Sequence, residues 1–341
     1  MKYFSKILCL VLFLIMALPG KEKEQTSINF EYGSHDPLKF EDASSSYQYV
    51  TPDYYENVIE NVKEGHRLAK RGDLQEALMF FERAISYDST YVFAYNGLAN
   101  THIELKNYEK AEALFKIGIK HGEKDAFLYN NLANLYLMQG KLDKALYHLR
   151  IAVAYNPNSS LINYNLANIY YNMAEYSTAI RYYKQALQFD PNMCDARYNL
   201  ALSYQNISLP SLMIEEYKTL VKHCPGHAKG VLNLAAYYIE VDQVEKALML
   251  YKQALVINQD SRIYLALGHT YHNLSYFNQE ISAYTSAVKA DSSNMDAWEY
   301  LARSYWEQDM IISAKTTCEK ALEIKPDNEN ILNLLSKILD Q

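Results

Sequence analysis

Residues 125–158 read DAFLYNNLANLYLMQGKLDKALYHLRIAVAYNPN, and this stretch decides the fold. Its first half places Leu128, Tyr129, Leu132, Ala133, Leu135 and Tyr136 at the three-and-four spacing of one helix face. Gly140 interrupts that helix. Leu142, Ala145, Leu146, Leu149, Ala152 and Val153 then repeat the spacing. Asn156-Pro157 ends it, because proline cannot continue the amide ladder. Small Ala133, Ala145 and Ala152 stand where two helices must approach closely, and large aromatics stand where the gap is widest. The unit is a pair of amphipathic helices joined by a short turn.

The unit recurs along the chain. Ala77, Ala111, Ala145 and Ala179 are each 34 residues apart, as are Pro157, Pro191 and Pro225, and Tyr136, Tyr170, Tyr204 and Tyr238. Three columns at one period define a repeat array. Eight units follow: 58–91, 92–125, 126–159, 160–193, 194–227, 228–260, 261–294 and 295–328. A last helix from Glu329 to Leu339 carries Ile331, Leu334, Leu335 and Ile338, and the segment 329–341 is expected to cap the open end. Thr51-Pro52 reads as a helix start, so the array is expected over 51–328.

This pattern resembles the tetratricopeptide-repeat (TPR) family. The third unit matches its columns with Tyr129, Leu132-Ala133, Tyr136, Ala145, Leu149, Ala152 and Pro157. The last matches with Trp298, Leu301-Ala302, Tyr305, Ala314, Cys318, Ala321 and Pro326. The resemblance implies an all-α fold, a right-handed superhelical solenoid of about eight helix-turn-helix repeats with a C-terminal capping helix. It further implies that the first helix of each repeat lines a concave surface where partners bind.

Composition agrees with a folded repeat protein. The 32 tyrosines are several-fold above ordinary usage, whereas 11 glycines and 8 prolines are too few for a low-complexity chain. Many tyrosines fall in repeat columns, such as Tyr183, Tyr217, Tyr251 and Tyr284 in the second helices, and are expected to pack between helices. A net charge of −7 without a run of like charges excludes the basic footprint of a nucleic-acid binder.

The N-terminus has Lys2 and Lys6 followed by an apolar run from Ile7 to Leu18. That run is short for a membrane span, which takes about 20 apolar residues, and reads as a secretory signal over 1–20. An uncleaved anchor is the alternative, so membrane contact is expected at most through this segment. The polar segment 21–50 reads as a flexible linker. Export would place the protein in the periplasm, the cell envelope or outside the cell. Cys194, Cys224 and Cys318 lie in the array, and spacing leaves open whether Cys194 and Cys224 form a disulfide. His223-Cys224-Pro225-Gly226-His227 looks like half a metal site but has no second cluster at ligand spacing, so a helix end and a Pro-Gly turn are favoured.

The array departs from its rule in places. Repeat five has Met213 and Leu220 in the small columns and Pro210 in its turn. Glu280 occupies the alanine column in repeat seven. A carboxylate in a tight helix contact is costly unless it escapes to solvent or finds a partner. A looser joint around 255–285 is the sequence expectation, and an outward-swung Glu280 is its alternative.

On the face that the resemblance makes concave, Asn131, Asn165, Asn199 and Asn233 recur at 34, and Asn100, Asn134 and Asn168 form a second row. Beside them lie Phe93, Asn96, Phe127, Asn130, Leu161, Tyr164, Tyr171 and Tyr198. In repeats three and four this stripe is uncharged, whereas repeats six to eight bring Lys229, Glu240, Arg262, Asp296, Glu299, Arg303 and Glu307. An asparagine amide can pair bidentately with a peptide bond. Four such rungs give roughly 4 kcal/mol, against an association cost of about 4–15 kcal/mol, so apolar anchors must supply the rest. The competing reading makes each Asn a structural hydrogen-bonder between neighbouring helices. Some TPR proteins grip C-terminal carboxylates with Lys and Arg at matching sites. Here those sites in the first half hold Asn, Tyr, Phe or Leu, so that clamp is missing.

No nucleotide-binding, zinc-protease or nucleophile-elbow motif occurs, and the repeats leave no room for a catalytic domain. The expected function is a non-enzymatic protein–protein scaffold, without cofactor or metal, that binds an extended partner segment. A glycan-strand binder and a structural subunit of an envelope assembly are the alternatives.

Overall fold

The computed structural model describes residues 55–340. The expected signal 1–20, linker 21–50 and Thr51-Pro52 helix start lie outside these residues. Among the described residues the chain is all-α, with seventeen α-helices and no strand. A π-helical turn, Tyr55–Ile59, leads into α1 (Glu60–Arg71) and α2 (Leu74–Tyr87). Then follow α3 (Val92–Glu104), α4 (Tyr108–His121), α5 (Ala126–Met138), α6 (Leu142–Tyr155), α7 (Ser160–Asn172) and α8 (Tyr176–Phe189). The remainder are α9 (Cys194–Asn206), α10 (Pro210–His223), α11 (Ala228–Glu240), α12 (Val244–Ile257), α13 (Ser261–Asn273), α14 (Phe277–Ala290), α15 (Met295–Glu307), α16 (Ile311–Ile324) and α17 (Glu329–Leu339). Odd and even helices pack in consecutive pairs, and α17 covers α16. This is a helical-repeat solenoid.

One backbone device reverses the chain within every pair. Gly72, Lys106, Gly140, Ala174, Ser208, Asp242, Ser275 and Asp309 all have φ between 56° and 85°. In each case this residue and the next donate amides back into the end of the first helix. Gly140 donates to Leu137 at 2.9 Å and Lys141 to Tyr136 at 2.8 Å, for example. The left-handed residue is what lets both amides reach carbonyls that the helix leaves over. Sequence spacing marked the turn with Gly140 in repeat three and Pro210 in repeat five.

The chain divides into two compact units that change over between Pro191 and Asn192. The first has a core of alanines closed by one bulky side chain per repeat. Phe81 is fully buried, and a Cβ on Gly65 or Gly97 would come within 2.8 Å or 2.3 Å of its ring. The two glycines therefore make the slot that the ring occupies. His66 meets the same ring edge-on, with centroids 5.0 Å apart.

In the second unit the Leu220 departure of repeat five is compensated. Leu220 fills a column that elsewhere holds Ala84, Ala152 or Ala186, and Gly230 yields the space. A Cβ there would lie 2.5 Å from a Leu220 methyl. Cys194 and Cys224 are joined as a disulfide, with Cα atoms 6.3 Å apart, tying the start of α9 to the end of α10. His223 ends α10, and His227 caps α11 by accepting from the Gly230 amide at 3.1 Å. The half metal motif is thereby absorbed into a disulfide and a helix cap.

The expected joint at 255–285 is not where the units divide. α13 and α14 pack closely, and Glu280 does not swing outward. It is 2% exposed, bonded by the Ser304 hydroxyl and by His272 Nδ1. Polar partners from the flanking helices thus absorb a carboxylate that the alanine rule forbids.

Two consequences are measurable. Gly97→Val should cost about 2 kcal/mol or more by overpacking the Phe81 slot, read as a lower denaturant midpoint at unchanged slope. His66 is held well below its ordinary 6.5, at about 4, first by burial and then by the Lys70 charge. The unfolded chain therefore binds a proton that the folded chain refuses, and stability should fall as pH drops from 6.5 towards 4. The loss between pH 7.5 and 5, followed by urea unfolding, should be smaller in His66→Gln.

Candidate partner-binding surface

Each unit carries its own stretch of the stripe singled out in the sequence. In the unit up to Pro191, the asparagines of three successive first helices hydrogen-bond to one another. Asn165 on α7 donates to Asn130 on α5 at 2.8 Å. Asn130 donates to its neighbour Asn131 at 3.2 Å, and Asn131 donates to Asn96 on α3 at 2.8 Å. All four are at most 5% exposed. Each interhelical rung links a residue to one 35 positions away, a repeat plus one. Adjacent positions such as 130 and 131 therefore reach opposite neighbours, and one helix passes the chain of amides along. Sequence bounds the ladder: Gly97 replaces asparagine where Phe81 needs its slot, and Tyr164 replaces it in the column of Asn96 and Asn130.

The second row behaves differently. The Tyr183 hydroxyl donates to Asn168 at 2.6 Å. In the two preceding repeats the tyrosine position holds Phe115 and Leu149, which have no hydroxyl. Asn100 and Asn134 accordingly have buried amides with no hydrogen-bond partner on either atom. Tyr164 is buried and tilts against Tyr183 with centroids 6.1 Å apart, and Leu161 is buried as well. Phe93, Phe127 and Tyr171 are half-buried, keeping part of each ring at the surface. Tyr171 packs edge-on against Tyr176 at 5.4 Å.

In the unit from Asn192, Tyr198 is buried between Tyr217 and His227, with centroids 6.1 Å and 5.2 Å away. Asn233 is half-buried and donates to the Tyr217 hydroxyl at 2.7 Å, and Asn199 is half-buried too. The charges expected on this stripe are largely paired. Arg303 holds Glu299 at 2.6 Å, Arg262 holds Asp260 at 2.6 Å, and Lys229 lies over the Tyr198 ring at 5.8 Å. Sequence spacing put the fifteen residues on one helical stripe but did not separate those that bond to each other from those that keep surface.

A stripe of first helices held at fixed spacing defines the helical-repeat class of interaction scaffolds. Tetratricopeptide-repeat profiles match residues 68–135, 126–159, 161–193, 261–294 and 296–328. The chain belongs to the tetratricopeptide-repeat family. No curated protein matches it in sequence. Among solved structures it is similar to pilF from Pseudomonas aeruginosa, with TM-score 0.54 and 16% identity, covering 60% of this chain and 93% of that one. It is also similar to YrrB, described as a TPR protein with an unusual peptide-binding site, with TM-score 0.42 and 22% identity over 52% of this chain and 91% of that one. A third is MamA, with TM-score 0.43 and 21% identity over 51% and 95%. At 16% identity the likeness to pilF shows the fold alone. No helix among the described residues is long and apolar enough to cross a membrane.

The bonded asparagines and the unpartnered Asn100 and Asn134 should respond oppositely to mutation. Asn134→Leu, of nearly the same shape, removes an unsatisfied buried amide and should raise stability by about 1–3 kcal/mol. Leu202 already occupies that column in repeat five. Chemical denaturation of the single variant checks it, and a loss of stability would mean that Asn134 has a partner.

Proposed function

We propose that the protein is an exported, non-enzymatic scaffold that binds an extended segment of a partner protein along its first helices. The observation that supports this reading most is the division of labour on the stripe of the first unit. Asn96, Asn130, Asn131 and Asn165 are spent on one another, which holds α3, α5 and α7 at fixed spacing. Phe93 and Phe127 retain surface one repeat apart near the starts of α3 and α5, and Tyr171 retains surface near the end of α7. A series of aromatic edges on a rigid frame suits side-chain anchors of an extended chain, since such anchors dominate binding free energy. Asn199 and Asn233 offer half-buried polar contacts in the second unit. Specificity would come from the spacing of anchors rather than from a charge clamp.

Two observations support export. Lys2, Lys6 and the apolar run to Leu18 have the form of a secretory signal. The Cys194–Cys224 disulfide suits an oxidising compartment such as the periplasm, because cytosolic thiols are kept reduced.

Photo-crosslinking side chains placed at Phe93, Phe127 and Tyr171 should each capture the same partner in cells that make the protein. The same probe at Tyr147, which is 62% exposed on α6, should not. Capture from Tyr147 alone would place the partner on the second helices instead. Crosslinks to polysaccharide but to no protein would replace the partner class.

A further inference from the structure

Glu280 puts a charge in the alanine column and is fully buried there. Ala77, Ala111, Ala145, Ala179, Ala247 and Ala314 hold its place in other repeats. Its carboxylate is 2% exposed, with Oε1 bonded to Ser304 and His272 and Oε2 buried without a partner. No lysine or arginine pairs with it among the described residues. Glu307 adds a second carboxylate, its Oε2 lying 3.8 Å from His272 Nδ1. One imidazole nitrogen and two carboxylate oxygens, from α13, α14 and α15, therefore lie within 4.8 Å of one another.

Two carboxylates this close repel, and one of them is cut off from water. A proton could relieve the pair, but it would leave Oε2 aimed at no acceptor. A divalent cation held among the three groups relieves the repulsion. We infer that His272, Glu280 and Glu307 form a binding site for a zinc-class divalent metal ion.

The geometry suits such an ion. Zinc takes nitrogen and oxygen ligands at about 2.0–2.2 Å in a tetrahedron, which puts ligand atoms about 3.3 Å apart. His272 Nδ1 and Glu280 Oε1 are 3.1 Å apart already. The side chains of His272 and Glu307 are 45% and 51% exposed, so they have the freedom to close the remaining gap. Glu280 is the fixed member, oriented by the Ser304 hydroxyl in the manner of an outer-shell hydrogen bond to a metal ligand. Mixed imidazole and carboxylate donors favour zinc over magnesium or calcium, which prefer oxygen alone. Three protein ligands leave a fourth position for water or for a side chain of a bound partner. The ion would staple repeat seven to repeat eight.

The test uses the full chain without a histidine tag, stripped with chelator and titrated with zinc chloride by calorimetry. The expected result is one ion per chain and a raised unfolding temperature. His272→Ala and Glu307→Ala change exposed side chains, so the fold is retained, and each should weaken binding at least tenfold. Glu280→Gln keeps the shape and the Ser304 contact and should also weaken it at least tenfold. His223→Ala, an exposed histidine elsewhere, should leave binding unchanged. X-ray absorption of the loaded protein should show one imidazole and two carboxylates around zinc. Failure of the wild-type chain to bind zinc, or binding equally strong in His272→Ala and Glu307→Ala, would overturn the assignment. Either result leaves the partner-binding proposal for the first helices untouched.

Discussion

The close approach of each first helix to the helices on either side is the constraint on which the rest of the structure depends. It is met by alanine or glycine in three columns and by one bulky side chain per repeat that fills the slot they leave. Phe81 between Gly65 and Gly97 shows the limit, since a single added carbon on either glycine would enter the ring. Close packing of this kind fixes the pitch from one first helix to the next. Only at that pitch can an asparagine on one helix reach its counterpart 35 residues away at 2.8 Å. The amide ladder is thus a consequence of the small-residue columns and also their lock, because a mis-set pitch would leave buried amides unpaired.

The exceptions obey the same physics. Where Leu220 oversteps its column, Gly230 opposite yields the volume, and the Cys194–Cys224 disulfide ties the pair together. Where Glu280 oversteps, Ser304 and His272 supply polar contacts. In each case the departure is answered by residues that face it, so the disturbance stays within one or two repeats. This locality is expected of an array in which each repeat contacts only its neighbours.

Much of this was legible in the residues themselves. Period-34 columns of alanine, tyrosine and proline specify paired helices, and Pro157 or Gly140 locate their ends. The left-handed turns at Lys106, Ala174 and Ser208 were not visible, because those side chains carry no signal for positive φ. Nor could spacing tell how Asn130 and Asn131 share their hydrogen bonds. A period of 3.6 assigns a residue to a face, whereas adjacent asparagines turn to opposite neighbours according to the interhelical pitch. Glu280 was misread for a related reason: its partners His272 and Ser304 lie on the flanking helices, and only packing brings them together. The expected N-terminal signal and linker lie outside the described residues.

In the proposed division of labour, Asn96, Asn130, Asn131 and Asn165 serve the frame and leave the aromatic edges for a partner. A double-mutant cycle between Asn96 and Asn131 tests it most directly, using Asn96→Ala, Asn131→Ala and the pair, with stabilities from urea unfolding. A ladder rung predicts a coupling of about 1 kcal/mol or more, since either single change strands the buried amide that the other side would have satisfied. Additive losses, with coupling near zero, would contradict the account and return these asparagines to the pool of ligand contacts.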